Sequence, residues 1–213
     1  MKKITVYNLL AVQFVLLISC KSHAQKDATD YQNNFTKEFS TYWYQGKAEL
    51  TSYQLTQARY GEERDGEAVL VFVTEDFLID KQVKKESSTS AKATSVLKLN
   101  FIRKFPTGIY DYSMLTSTFS PINQEKLIYP IKSTTSAQEW CGHSWLQYNL
   151  RNEKYKYQSF SYFESEGDKK EVLEKHMLED GIWAQIRMNV ELIPTGKTQL
   201  IPSSHYLRFA HKK

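Results

Sequence analysis

Short stretches of alternating apolar and polar residues follow one another along residues 47–164, with no helical pattern between them. The strands predicted from this alternation are Ala48–Arg59, Glu67–Thr74, Val96–Lys104, Ile109–Phe119, Lys126–Ser133, Glu139–Leu150 and Tyr155–Glu164. Antiparallel strands can be joined by short turns, whereas parallel strands need long crossovers. The pattern therefore predicts an antiparallel sheet, and so large a twisted sheet should curl into a curved sheet or half-barrel.

Apolar residues recur near helical spacing on both sides of these strands. They are Tyr31, Phe35, Phe39 and Tyr42 before the strands, and Ile182, Ile186 and Val190 after them. Asp180 and Pro194 flank the second group as start and stop signals. The predicted fold class is α+β, a mostly antiparallel sheet with an N-terminal and a C-terminal helix. A loop is predicted at residues 81–95 and a last strand at Lys197–Ile201.

The first twenty-five residues predict export to the cell envelope. Lys2 and Lys3 precede an apolar run that is too short and too interrupted by polar residues to form a stable membrane span. The residues up to Cys20 also fit a lipobox, in which Cys20 is acylated and becomes the new N-terminus. The predicted organisation is a signal peptide at 1–19, a lipid-anchor tether at 20–29 and one β-rich domain at 30–213.

A second processing site stays open. Ser22, His23 and Ala24 before Gln25 end like an ordinary signal-peptidase site, and cleavage there would release a soluble periplasmic protein. The two alternatives are a membrane-anchored lipoprotein, in the outer membrane rather than the inner one, and a soluble protein of the periplasm.

The charge balance argues against nucleic-acid binding. The chain carries a formal charge of +4, and the leader holds two of its lysines and no acid, which leaves +2. A nucleic-acid binder should instead present a basic stripe with interleaved aromatic residues. If Cys20 is acylated, Cys141 is the only other cysteine, so no disulfide forms within the chain and stability must come from packing.

One short stretch holds the densest group of reactive side chains. If it forms a strand, Glu139, Cys141 and His143 project to the same side at steps of about 6.6 Å. The cysteine could supply a thiol nucleophile, the histidine its general base, and the glutamate a carboxylate that orients the histidine. They could also bind zinc if His176 or His205 supplied a fourth ligand. Because such sites usually draw on separate elements, a structural role is favoured, and no metal or cofactor is predicted.

Tyrosine and phenylalanine make up much of the predicted strands. Ordinary strand propensity and core filling explain most of them. The functional alternative is an aromatic-lined groove that binds a hydrophobic or glycan ligand. Its candidate binding residues are Tyr110, Tyr112, Trp140 and Trp145.

Five stretches resemble an exported lipoprotein family of Bacteroidota. They are Gly46–Leu50, Val73–Phe77, Leu97–Phe101, Thr134–Trp145 and Asp180–Gly196, so the resemblance covers nearly the whole mature chain. Members of that family extend further, which implies that C-terminal sequence is missing here. The family is often labelled septum formation inhibitor Maf, a name borrowed from cytoplasmic nucleotide pyrophosphatases. This chain lacks their Arg-Arg pair and has an export leader, so pyrophosphatase activity is not expected.

These features predict a non-enzymatic envelope lipoprotein, held at the membrane by its N-terminal lipid. Its partner would be a hydrophobic or glycan ligand or an envelope protein. The alternative function is an envelope hydrolase or thiol enzyme that uses Cys141 and His143. The resembling family has no assigned catalytic residues that could be transferred to this chain.

Overall fold

The computed structural model describes residues 31–87 and 92–205, so the predicted signal peptide, Cys20 and the tether lie outside the described residues. Helix α1 spans Lys37–Trp43 and helix α2 spans Ile182–Asn189. The strands are β1 Glu49–Arg59, β2 Glu62–Leu78, β3 Val83–Lys84, β4 Ala93–Pro106, β5 Asp111–Pro121, β6 Lys132–Glu139, β7 Gly142–Arg151, β8 Lys154–Ser161, β9 Lys169–Glu174, β10 Met177–Leu178 and β11 Leu200–Ile201. None of the helices in the described ranges is both long and apolar enough to cross a membrane.

The prediction of a mostly antiparallel sheet is confirmed. Strands β1, β2, β4, β5, β6, β7, β8 and β9 lie side by side in this order, and every neighbouring pair is antiparallel. The short β3 pairs with the end of β2. Within the described residues β1 and β9 have one neighbour each, so the sheet is open. A separate two-stranded sheet joins β10 and β11 in parallel.

Tight turns connect several of these strands. Tyr60 and Gly61 between β1 and β2 have φ angles of 56° and 76°, and Asn152 and Glu153 between β7 and β8 have 49° and 59°. Two successive positive φ angles are the signature of the hairpin turn whose twist matches that of its strands. Asn152 and Glu153 therefore form a two-residue hairpin turn between β7 and β8.

The strand predicted at Lys126–Ser133 begins only at Lys132. Pro130 has no backbone N–H, so it cannot donate to a neighbouring strand. Its carbonyl oxygen accepts a hydrogen bond from the Tyr155 hydroxyl at 3.0 Å, and the N–H of Ile128 donates to the Gln185 side chain at 2.8 Å. Side chains, rather than a strand partner, satisfy these backbone groups.

The region predicted as a loop at residues 81–95 contains β3 and the first residues of β4. Gln82 lies in the turn before β3 with a φ angle of 52°, and its side chain is buried. The amide of Gln82 donates to the carbonyl oxygen of Leu150 at 2.7 Å, which fastens this turn to β7. The loop predicted at residues 81–95 is therefore shorter than expected at both ends, and residues 88–91 of it lie outside the described residues.

Most of the core lies on one side of the sheet, here called the inner face, while a smaller cluster that contains Phe77, Val96 and Phe119 lies on the other side. Phe39 and Trp43 of α1 pack there with Ala184 and Met188 of α2. The strand residues in the same cluster are Ala68, Leu70, Phe72, Leu97, Leu99 and Phe101. A second cluster brings together Leu146, Tyr148, Leu150, Tyr155 and Tyr157 with Leu178 and Ile201. The protein's own side chains therefore fill the inner face.

Candidate binding surface at the hairpin tips

Four hairpin turns lie at the same end of the sheet, because successive antiparallel strands reverse direction. They are the turns β1–β2, β4–β5, β6–β7 and β8–β9, and this end is called the tip end. Each turn exposes a large apolar side chain: Tyr60 is 54% exposed, Ile109 83%, Trp140 79% and Tyr162 73%. These four residues and Tyr110 are called the apolar rim.

The opposite end of the sheet has ordinary turn chemistry. Its turn residues Asp80, Lys81, Glu125, Lys126, Asn152 and Glu153 are exposed and polar, and the exposed apolar side chains there include Val83 and Tyr44, which are 43% exposed each. Single exposed apolar residues are common on protein surfaces, but a contiguous group is typical of an interaction site. The difference between the two ends therefore makes the rim the candidate functional surface.

A network of phenol groups holds one side of the rim. The Tyr60 hydroxyl lies 3.2 Å from that of Tyr110 and 2.9 Å from that of Tyr112. Arg59 donates two hydrogen bonds to the Tyr112 hydroxyl, at 3.1 and 2.8 Å, and its guanidinium group lies 4.2 Å from the centre of the Tyr60 ring. Tyr112 in turn stacks on Phe105 with 4.9 Å between ring centres. The buried side chains of Tyr112 and Phe105 therefore support the phenol groups of the rim.

Packing contacts extend the rim to the β6–β7 and β8–β9 turns. Tyr110 and Trp140 stack with their ring centres 6.4 Å apart and their planes inclined by 28°. A Cβ atom added at Gly142 would lie 2.6 Å from Cδ1 of Tyr162, so the Tyr162 ring rests on the bare backbone of Gly142. The rim is therefore preorganised by contacts between neighbouring hairpins.

The hydroxyl groups differ in their acidity. The hydrogen bond to Tyr60, together with one to Cys141, raises the pKa of Tyr110 to about 12. Burial and the bond to Tyr60 raise the pKa of Tyr112. Burial opposes ionisation of Tyr60, but the hydrogen bonds from Tyr110 and Tyr112 and the charge of Arg59 outweigh it and lower its pKa. Tyr110 and Tyr112 therefore act as neutral donors near pH 7.

The tip end carries more acids than bases. Segments 59–65, 104–111, 139–142 and 162–170 contain eight acids, Glu62, Glu63, Asp65, Asp111, Glu139, Glu164, Glu166 and Asp168, and five bases, Arg59, Arg64, Lys104, Lys169 and Lys170. The whole chain nevertheless carries +4. The tip end therefore has a charge opposite to that of the chain as a whole, which favours a basic partner.

The sequence-based arrangement of Glu139, Cys141 and His143 is wrong. Trp140 and Cys141 form the turn between β6 and β7, whereas the prediction assumed one continuous strand. Glu139 pairs with Gly142 across this turn and is buried, while Cys141 and His143 are exposed. A turn reverses the chain, so the three side chains do not follow one face at strand spacing.

The zinc alternative lacks a ligand set. Within residues 31–87 and 92–205, no three His, Cys, Asp or Glu residues lie close enough together to hold a metal ion. His205, one of the two candidate fourth ligands, instead forms a hydrogen bond between its Nδ1 and the Ser203 hydroxyl at 2.7 Å.

The four aromatic candidates divide into two groups. Tyr110, Tyr112 and Trp140 meet at the tip end, as described above. Trp145 lies on the other face of β7, where its ring stacks with that of Phe160 at 5.8 Å. Sequence reasoning missed Tyr60, Ile109 and Tyr162, although an apolar residue in a turn, such as Tyr60 before Gly61, is an available signal.

A buried polar cluster was also missed. Asp180 accepts hydrogen bonds from the hydroxyls of Ser133 at 2.9 Å and Ser204 at 2.8 Å, and from that of Ser203. Ser203 also bonds His205, so serine, histidine and aspartate meet. However, the aspartate contacts the serine and not the histidine, unlike a catalytic triad, and Asp180, Ser203 and Ser204 are buried. The cluster fastens the segment after β11 to β6.

No protein-family model, curated protein or solved structure matches this chain.

Proposed function

We propose that this chain is a non-enzymatic lipoprotein of the cell envelope that binds a protein partner through the apolar rim. The observation that carries the proposal is the apolar rim at one end of the sheet, in which Tyr60, Tyr110 and Trp140 are in contact and Ile109 and Tyr162 are exposed in the same or a neighbouring turn. The export leader and an acylated Cys20 are part of the proposal. So is the finer architecture, a sheet curved into a half-barrel around the two helices.

The filled inner face argues against a ligand held inside the half-barrel. Phe72, Leu97, Tyr112 and Tyr155 are fully buried there among the protein's own side chains. A hydrophobic ligand needs an enclosed apolar cavity that removes most of its surface from water. The exposed rim is therefore the better candidate for binding.

The composition of the rim favours a protein surface as the partner. Tryptophan, tyrosine and arginine dominate the binding energy of protein interfaces, because they bury large areas at a small cost in conformational entropy. Trp140 and Tyr162 are mostly exposed, yet their neighbours hold their rings in place. The acids around the rim would steer a partner with a basic surface.

The position of the chain's first described residues fits a tethered binding module. Tyr31 lies at the end of the sheet opposite the rim, where its carbonyl oxygen accepts a hydrogen bond from Thr94 at 3.2 Å. A lipid on Cys20 would hold this opposite end near the membrane. The rim would then point away from the membrane, toward a partner in the envelope.

Photo-crosslinking in cells tests the proposal. A photoreactive amino acid replaces Trp140 or Tyr162 in one set of variants, and Tyr42 in the control. Tyr42 is 56% exposed and bonds Glu49 at the start of β1, so it lies far from the tips with similar exposure. We expect a discrete protein adduct from the two rim positions and none from Tyr42. With the partner identified, Trp140→Ala should weaken binding by about 30-fold or more. Equal adducts from all three positions, or none from the rim, would contradict the proposal.

A further inference from the structure

Strand β1 forms an open edge of the sheet. Among the described strands it pairs with β2 alone, along its full length Glu49–Arg59. Residues 50–58 of this edge contain no charged residue, proline or glycine. By contrast, four of the six residues of the other edge strand, β9, are charged. Charges and prolines are the usual protection of a sheet edge against further pairing, so β1 is an unprotected edge.

The side chains along β1 also suit an interface. Leu50 is 66% exposed and Tyr53 is 51% exposed. An open depression of about 520 Å³ lies over β1 and β2 and is lined by Ser52, Tyr53, Gln54, Gly66, Glu67 and Val69. An uncharged strand with exposed apolar side chains is a template for strand addition.

We propose that β1 pairs with β1 of a second copy of this chain, antiparallel and across a two-fold axis at Gln54. This register pairs all eleven residues of the strand and places Gln54 opposite its own copy. It also brings Tyr53 against Leu55 and Leu50 against Ala58, two apolar cross-strand contacts. The proposal rests on the edge alone and is independent of the binding function of the rim.

Charge complementarity identifies a second copy as the occupant. The same register places Lys47, just before β1, opposite Gly61 of the other copy's first turn and next to Glu62 and Glu63 at the start of that copy's β2. Both ends of the interface then carry this pairing, because a two-fold axis makes every contact twice. The antiparallel arrangement also sets the acidic tip end of one copy beside the opposite end of the other, which reduces repulsion between the two acidic tips.

The self-opposed position of Gln54 provides the test. Gln54 is exposed, so a charged substitution is compatible with the fold. In the proposed dimer, Gln54→Lys places two lysines face to face, and Gln54→Glu places two carboxylates face to face. We expect the wild-type protein to sediment as a concentration-dependent dimer in analytical ultracentrifugation. Each variant alone should associate at least about fivefold more weakly, because like charges directly opposite one another destabilise a pair.

Mixing the variants distinguishes this interface from others. Equal amounts of Gln54→Lys and Gln54→Glu should restore the dimer as a heterodimer, which also shows that both variants fold. Val172→Lys on the opposite edge strand is the matched control and should leave association unchanged, since Val172 is likewise exposed. A wild-type protein that stays monomeric, a mixture that does not recover, or a dimer weakened as much by Val172→Lys would overturn the proposal.

Discussion

The hydroxyl oxygen of Tyr60 lies 2.9 Å from that of Tyr112, which joins an exposed turn residue to a fully buried one. Two guanidinium nitrogens of Arg59 donate to the same Tyr112 oxygen. One buried oxygen thus binds both the charge of Arg59 and the tip of the first hairpin. Removing that oxygen should cost more than removing a phenol oxygen elsewhere on the rim.

Tyr112→Phe should lower the free energy of unfolding by about 1.5–3 kcal/mol, because hydrogen bonds to a charged group are lost inside the protein. Tyr110→Phe is the matched control, since it removes a hydroxyl from the same network at a more exposed position. We expect that control to cost less than about 1 kcal/mol. Urea unfolding of both variants measures the difference, and equal losses would show that the Tyr112 oxygen has no special role.

Gly142→Ala should destabilise the protein by about 1–3 kcal/mol, because the new Cβ would overlap the Tyr162 ring. The Tyr162→Ala background removes the ring and therefore most of this cost. A double-mutant cycle from urea unfolding measures the coupling between the two positions. If Gly142→Ala costs the same in both backgrounds, the strain lies in the backbone of the turn and not in the contact with Tyr162.

The sheet could be predicted from the sequence because apolar and polar residues alternate wherever one face of a strand is buried and the other is exposed to solvent. The segment Val96–Lys104 shows this pattern and lies within β4. The same reasoning missed β9, since five of its six residues are exposed and leave no alternating signal. It also extended a strand across Pro130, where side chains take over the hydrogen bonds.

The candidate site could be predicted only in part. Tyr110, Tyr112 and Trp140 stand out as aromatic residues, but their convergence depends on which turns share one end of the sheet. Trp140 and Cys141 are not typical turn residues, so the sequence pattern predicted one continuous strand through them. That error also produced the predicted alignment of Glu139, Cys141 and His143. Tyr60 was missed because it lies 50 residues from Tyr110 and 52 residues from Tyr112, its partners in the network.

The exposure of Cys141 predicts ordinary thiol chemistry. Iodoacetamide should label Cys141 in the folded protein at a rate within about threefold of that in urea, because the thiol is exposed to solvent in both states. Glu139→Gln and His143→Ala should change the rate less than about twofold. Peptide mass mapping separates Cys141 from Cys20. A tenfold drop in either variant would instead support the thiol-enzyme alternative.

The environment of His205 predicts that acid destabilises the protein. Burial, together with the charge of Arg103, lowers the pKa of His205 to about 3 from its ordinary 6.5. Because Ser203 donates its hydroxyl proton to Asp180, the Nδ1 of neutral His205 carries the hydrogen in its bond to Ser203. The unfolded chain therefore binds a proton at pH values where the folded protein does not, so stability rises with pH between about 3 and 6.5 and falls as the pH is lowered through this range.

Lowering the pH from about 7 to about 5 should cost on the order of 1–2 kcal/mol through His205 alone. His205→Asn keeps a hydrogen-bond donor near the Ser203 hydroxyl but cannot titrate, so its stability should change less over the same interval. The remaining ionisable groups are common to both proteins, so their contributions cancel in the comparison. Urea unfolding of the two proteins at each pH measures the effect. Parallel pH profiles would mean that His205 takes up its proton equally in the folded and unfolded states, and that its burial does not oppose ionisation.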